Sequence, residues 1–331
     1  MTGDYLVTLL PVNARKEVRL LVELRSRLNP REAIGLCGDQ AASRKRSLPL
    51  VIACPYVSPR VAEICRAAGV GYLDAAGNCD IRAPGLMLHV NGRPNVVPDT
   101  RPLSNLFAPK ASRVARLMLT HPDRHWQVKQ LAAEGEISIG LASKTKDALI
   151  EQGYAVEREG QVSLREPVGL LRAWAAVYKP PRRRTLAYVM EDVPRIEAAV
   201  TRWCTDHRIE YALAEYSGAW RLAPMVRYKQ ASVYLRERAS RNVVTELLGA
   251  LEAKPVESGS NLTVWAIADS SVFVDAREVE GTRVLSPVQL YLDLSAERGR
   301  GKEAADELLR RLLEPSFVQS NAWGGLSEEQ R

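Results

Sequence analysis

The chain has 331 residues, 46% of them hydrophobic, with a formal net charge of +7 and a pI near 9.2. At roughly 100–200 residues per domain, that length calls for two or three domains of ordinary soluble, globular composition. The basic excess is compatible with a nucleic-acid partner, although Lys and Arg are spread along the whole chain rather than gathered in one patch.

The amino terminus, MTGDYLVTLLPVNARKEV, lacks a basic stretch ahead of its short apolar patch, and no run approaches the ~18 apolar residues of a membrane span. Neither a signal peptide nor a membrane anchor is expected. The cysteines at positions 37, 54, 65, 79 and 204 have no CxxC spacing, and the run LVIACPY places one of them in apolar surroundings. They read as buried free thiols, which suits a reducing cytoplasm.

Residues 14–28 carry apolar side chains at Val18, Leu21, Val22, Leu24 and Leu28, a spacing that predicts a helix. LPLVIA (48–53) has the length and apolar continuity of a buried strand. Ser58 can cap a helix that begins at Pro59 and stops at Gly69. The stretch that follows, up to Arg93, reads as three short strands turning at Gly77-Asn78 and Pro84-Gly85. Residues 1–108 are therefore expected to form a small α/β module, with a proline-rich linker at 94–112.

Residues 109–167 are more tightly patterned. SRVARLMLT (112–120) predicts a helix ended by Pro122, and QVKQLAAEG predicts a second with Val128, Leu131 and Ala132 on one face. A tight turn then leads to a third helix capped by Ser138, with Leu141, Ala142, Thr145, Leu149 and Ile150 inward and Gly140, Ser143, Lys144 and Asp147 outward. YAVEREGQVSL alternates and turns at Glu159-Gly160. Helices joined by a short turn and followed by a hairpin are the winged helix-turn-helix pattern. Small and cationic residues at the start of the third helix are what a DNA major groove admits. Ser138, Gly140, Ser143 and Lys144 are therefore the expected groove contacts, with Lys129, Lys146 and Arg158 nearer phosphates. A winged helix used only for packing or dimerisation accounts for the same letters.

A second linker, YKPPRRRT (178–185), holds Arg182, Arg183 and Arg184, either a solvated connector or a phosphate-contacting arm. Residues 185–313 alternate strand-like runs (TLAYVM, ASVYLRE, LTVWAIA) with helical ones, and residues 314–331 read as a flexible tail. Ser286 and Pro287 open a helix on which Gln289 and Asp293 lie one turn apart. Arg298 and Arg300 follow beside Gly299 and Gly301. These four side chains are either part of an ordinary surface or contacts for a phosphate or a protein partner.

Asp74 and the Asp80-Ile81-Arg82 triplet faintly resemble the acid clusters with which nucleases hold Mg²⁺. Arg82 stands where such a site wants lysine, and a turn aspartate plus a strand aspartate explain the same residues. The histidines are scattered, and GxxxxGK[ST], GxSxG and HExxH do not occur. No cofactor, metal or catalytic role is expected.

Three blocks together resemble the AbiEi-type transcriptional regulators, antitoxins of type IV toxin–antitoxin systems. They are YLDAAGNCDIRAPGLMLHVNGR, the 112–154 region with SRVARLMLTHPDRHWQVKQLA and SIGLASKTKDALIEQGY, and LSPVQLYLDL with GRGKEAADELLRR. The resemblance spans roughly residues 48 to 313. It implies a winged-helix repressor of its own operon that binds duplex operator DNA, opposes a nucleotidyltransferase-like toxin without a stable complex, and could act as a homodimer. It departs from the family in placing an α/β module ahead of the winged helix, in an order similar to a restriction-endonuclease-like fold without its metal site. The expected architecture is thus an α/β protein with that module first, a central winged helix and a carboxy-terminal α/β domain separable from DNA reading. A nuclease-like enzyme working through the first module and a protein-interaction scaffold are the rival readings.

Overall fold

The computed structural model describes residues 3–10, 17–42, 48–93, 106–224, 228–237, 242–297 and 299–321. It is a mixed α/β protein whose chain groups into two compact units: residues 1–105 with 147–155, and residues 106–146 with 156–331.

The first unit is built on strands β1 (Gly3–Leu9) and β2 (Val18–Leu24), helix α1 (Pro30–Ala42), β3 (Leu50–Cys54), α2 (Pro59–Ala67), β4 (Gly71–Asp74), β5 (Cys79–Ala83) and β6 (Leu86–Val90). The six strands stand in chain order. β1 and β2 are antiparallel, β2, β3 and β4 run parallel, and the remaining pairs are antiparallel. β3 is buried on both faces. Leu50 and Ile52 join Ala33, Cys37, Val61 and Cys65 from the helices, while Val51 packs with Val18, Leu20 and Ile81 on the other side. Ser58 caps α2 through a 3.3 Å bond accepted from the Val61 N–H, and Gly69 leaves the helix at φ +68°.

The helix expected over 14–28 is a correction: residues 18–24 form a strand. VRLLVEL satisfies a helical stripe and an alternating strand about equally well, and pairing with β1 and β3 on either side decides the matter. Helix α1 is not among the elements expected from the sequence.

The second unit opens with α3 (Ser112–Thr120), α4 (Val128–Glu134) and α5 (Ile139–Glu151), whose last residues group with the first unit. The hairpin β7 (Ala155–Arg158) and β8 (Gln161–Leu164) follows, then α6 (Pro167–Val177). Further along the chain lie β9 (Arg184–Tyr188), α7 (Val193–Asp206), β10 (Tyr211–Leu213), α8 (Glu215–Leu222), β11 (Ala231–Arg236), α9 (Val243–Ala250), β12 (Lys254–Pro255) and β13 (Leu262–Ile267). The unit closes with β14 (Arg277–Val279), β15 (Thr282–Val284), α10 (Pro287–Ala296), α11 (Gly301–Leu308) and α12 (Glu314–Asn321). Seven strands form one mixed sheet in the order β12-β9-β13-β11-β10-β15-β14. Thus 314–321, expected as tail, continues the helical end of the chain, with Phe317 buried as its anchor. The proposed linker at 94–112 lies outside the described residues up to 105, as does the tail beyond 321.

Helix α10 is buried from Val288 to Leu294 without a solvent-facing stripe. It packs against α3, α6, α8 and α11, which explains its nearly uniform apolarity. Among the described residues no helix is long and apolar enough to cross a membrane. All five cysteines are buried free thiols.

Candidate nucleic-acid interface

In the second unit α3 packs on α4 and β8, and Val114, Leu117 and Met118 of α3, Leu131 of α4 and Ala142 of α5 are fully or almost fully buried. The Gln130 side chain accepts a 2.9 Å bond from the Gln127 N–H at the start of α4. Ser138 caps α5, its Oγ accepting from the Leu141 N–H at 3.2 Å. The hairpin turns at Glu159 (φ +52°) and Gly160 (φ +75°), the paired left-handed conformation of a tight two-residue turn, which glycine makes inexpensive.

Trp126, in the sequence merely a residue before α4, completes this small sheet. It exchanges two backbone bonds of 2.8 Å with Val162, while its ring is fully buried under the Arg124 guanidinium, 3.8 Å from the ring centroid. Arg124 is itself held by Glu134 at 2.5 and 2.9 Å.

The outward face of α5 carries Ser138, Gly140 and Lys144 exposed, Asp147 exposed, and Ser143 half-buried. Ile139 beside them is 57% exposed, an apolar side chain left in water at the mouth of the helix. Lys129 on α4 and Arg158 on β7 are also exposed. These positions share the three-helix unit and its hairpin. Lys146 does not join them as a free cation. Its Nζ lies 2.7 Å from Glu157 Oε2 with the side chain only 11% exposed, so it ties α5 to β7 instead of reaching outward.

The other sequence-selected residues separate. Gln289 and Asp293, read as contacts for a phosphate or a partner, are wholly buried in α10, and this is a correction. Asp293 Oδ1 accepts from Tyr178 Oη at 2.7 Å, Tyr234 Oη at 2.8 Å and Gln289 Nε2 at 2.7 Å, so the pair reads inward to a polar core cluster. Burial pushes the Asp293 carboxyl up to about 7, against the pull of these donors. Arg300 is exposed beside α11, and Arg298 lies outside the described residues. Arg182, Arg183 and Arg184 are exposed at the start of β9. Arg183 pairs with Glu237, and the Arg184 guanidinium stands 5.8 Å from the Trp265 ring centroid.

In the first unit Asp74 ends β4, and its carboxylate closes the turn that follows. Its carboxylate accepts from the Val57 N–H (3.0 Å), the Asn78 N–H (2.8 Å) and Asn78 Nδ2 (2.8 Å). Asp80 accepts from Arg82 at 2.9 and 3.2 Å and lies 3.2 Å from His89 Nδ1. Among the described residues no group of three or more His, Cys, Asp or Glu is arranged to hold a metal ion.

One connection had no sequence signal. Arg116, on the buried side of α3, is 3% exposed and stacks its guanidinium 5.0 Å from the Trp174 ring on α6. Burial lowers its pKa, while Tyr178 and Asp293 oppose that shift. Arg113, one turn earlier, donates to the Gly135 carbonyl at 3.0 Å and to Asp269 Oδ1 at 2.8 Å, spanning from α3 to the loop after β13. These contacts link α3 to α6 and to the loop after β13 within the second unit.

These features describe an α/β protein carrying a three-helix unit with a hairpin, whose third helix presents a polar, partly cationic face. Residues 163–314, slightly less than half of the chain, match the family model for the transcriptional regulators described as AbiEi antitoxins of type IV toxin–antitoxin systems. The match starts within β8 and ends at α12, so it covers the carboxy-terminal sheet and helices but neither the first unit nor α3 to α5. No curated protein and no solved structure matches the chain.

Proposed function

We propose that this protein is a cytoplasmic, non-catalytic, DNA-binding transcriptional regulator that acts as the antitoxin of a type IV toxin–antitoxin system and represses its own operon. The observation that carries the DNA-binding part is the outward face of α5, where Gly140, Ser143 and Lys144 follow a helix start capped by Ser138, beside a tight hairpin. That order is a winged helix-turn-helix, with α5 as the reading helix in the major groove and Lys129 and Arg158 against the phosphates. The family match over 163–314 supports the regulator and antitoxin part.

In this reading the first unit is a restriction-endonuclease-like layout without a metal site, since Asp74 already receives three N–H donors and Asp80 is engaged by Arg82. Two copies would place two α5 helices on the half-sites of a pseudo-palindromic operator. A nucleotidyltransferase-like toxin would be opposed functionally rather than held in a complex.

Gel-shift titration of the full chain on its own promoter and on a random duplex of equal length, at several salt concentrations, tests the proposal. The expected result is tighter binding to the promoter, with affinity falling steeply as salt rises. Equal affinity for both duplexes would refute operator reading.

A further inference from the structure

Strand β6 ends one side of the six-stranded sheet, and among the described residues nothing pairs with its outer edge. Its five residues, Leu86-Met87-Leu88-His89-Val90, include no lysine, proline, glycine or carboxylate. Met87 is 71% exposed, Leu88 43% and Val90 38%. Edge strands ordinarily blunt their unpaired N–H and C=O groups with charge, proline, a bulge or a covering segment. β6 pairs with β5 without a bulge, from Cys79↔Val90 to Ala83↔Leu86. The residues just beyond it do not run along its edge either. Gly92 turns at φ +81°, and Arg93 exchanges two bonds with Asn78 (2.8 and 3.1 Å) in the turn between β4 and β5.

Register decides what this edge can accept. Asn78 bonds toward β4, its carbonyl accepting from the Asp74 N–H at 2.9 Å, so by alternation Cys79, Ile81 and Ala83 bond toward β6. Pro84-Gly85 is a two-residue loop, whose flanking pair Ala83 and Leu86 belongs to the same hydrogen-bonded set. The backbone groups of Met87 and His89 therefore face outward. A second β6, antiparallel about a two-fold axis at Leu88, meets all of them: Met87 pairs with the partner's His89, His89 with the partner's Met87, and Leu88 stands opposite the partner's Leu88.

The side chains match as well. Leu86, Leu88 and Val90 share the sheet face of Ile81, which packs with Val18, Leu20 and Val51, so Leu86 would meet the partner's Val90 in apolar contact. On the other face Met87 would meet the partner's His89, while Asp80 is already engaged by Arg82 at 2.9 Å and lies 3.2 Å from His89. No like charges come opposite one another. Five residues at about 3.4 Å each span roughly 17 Å, which covers less than the ~800 Å² a side of a standard interface. Such a contact is reversible.

We propose that β6 is the interface of a symmetric, reversible dimer in which two copies of this chain join their six-stranded sheets edge to edge. The pairing stands on the strand edge alone and does not depend on the DNA-binding reading.

Sedimentation velocity of the full chain without DNA, over about 1–200 µM, tests it. The expected result is a monomer–dimer equilibrium with a dissociation constant on the order of 10 µM. Leu88→Lys, at an exposed position, sets two like charges together at the axis and should weaken the dimer about tenfold or more with unchanged circular dichroism. Leu6→Lys, on the opposite edge strand β1, should leave it intact. Leu88→Cys supplies an independent measure, because a non-hydrogen-bonded pair brings its Cα atoms to about 4.5 Å, within disulfide reach. Oxidised glutathione should convert that variant to a reducible covalent dimer, and should not do so with the wild type, whose five cysteines are buried. A chain that is monomeric throughout this range, as it would be if the edge served an unrelated peptide, overturns the proposal. So does a dimer that Leu88→Lys leaves unchanged or Leu6→Lys abolishes, or a Leu88→Cys variant that stays monomeric on oxidation.

Discussion

Tyr178 and Tyr234, 56 positions apart in sequence, donate to the same carboxylate oxygen, Asp293 Oδ1, at 2.7 and 2.8 Å. Tyr178 follows α6 and Tyr234 lies in β11, so one acidic group on α10 fixes the helical layer to the sheet.

That acid should leave a signature in the pH dependence of stability. Burial raises it from its ordinary 3.8 to about 7 in the folded chain, so folding favours the protonated form. Its contribution is full below the unfolded value near 3.8 and is lost as pH rises through about 7, an upper limit on the order of 4 kcal/mol. Asp293→Asn keeps an acceptor oxygen and cannot titrate. Urea unfolding between pH 4.5 and 8 should show a flatter stability curve for the variant, equal to or above wild type at pH 8. A residual slope is expected from Glu297, which burial also raises to about 7. Parallel curves for the two proteins would contradict this assignment.

The two kinds of proposed DNA contact should separate under mutation. Ser143→Ala and Lys144→Ala should relax sequence choice, each by about 1–3 kcal/mol where it meets a base edge. Lys129→Ala and Arg158→Ala should weaken promoter and random duplex alike and reduce the salt slope by about one unit each. A Ser143/Lys144 double variant with full affinity and selectivity would show that α5 is not the reader.

Lys146 should behave as a structural residue. Its pairing with Glu157 links α5 to the hairpin across a largely shielded contact. A double-mutant cycle of Lys146→Ala and Glu157→Ala should give a coupling energy of about 1 kcal/mol in unfolding experiments. Lys146→Ala should leave the salt slope of DNA binding unchanged in a folded variant. A fall equal to that of Lys129→Ala would restore Lys146 to the phosphate contacts.

Truncation at Arg184 should damage more than the carboxy-terminal sheet. Leu170, Leu171 and Trp174 of α6 and Arg116 of α3 are buried in the intact chain, and α10, which packs on both helices, would be gone. Hydrogen exchange should show α3 and α6 losing protection in the fragment. Retained protection of both helices together with promoter binding would favour the separable arrangement expected from the sequence.

The three-helix unit was legible because its signals are local. Ser138 needs only its own helix, Glu159-Gly160 only its own turn, and the boundaries of α3 coincide with the apolar run. Residues 18–24 misled because the same seven letters satisfy two periods, and only their neighbours in the sheet discriminate. Gln289 and Asp293 misled for a different reason. Polar residues one turn apart read as surface, and the tyrosines that satisfy them lie 59 residues or more away in sequence. Arg116 escaped for the same cause: its burial depends on Trp174 and α10, which no window around it contains.

The two sheets also set different timetables for assembly. In the first unit each strand lies beside the one synthesised just before it, so hydrogen bonding can advance with the growing chain and close early. The larger sheet cannot do this. β9 is flanked by β12 and β13, so its edges stay unpaired until some seventy further residues have emerged (Leu262 pairs with Ala187). During that interval a nascent chain exposes open strand edges and the apolar side of α3 and α6, which is the state that chaperones and proteases recognise. Those edges close only when β12 and β13, in the last third of the chain, have been made.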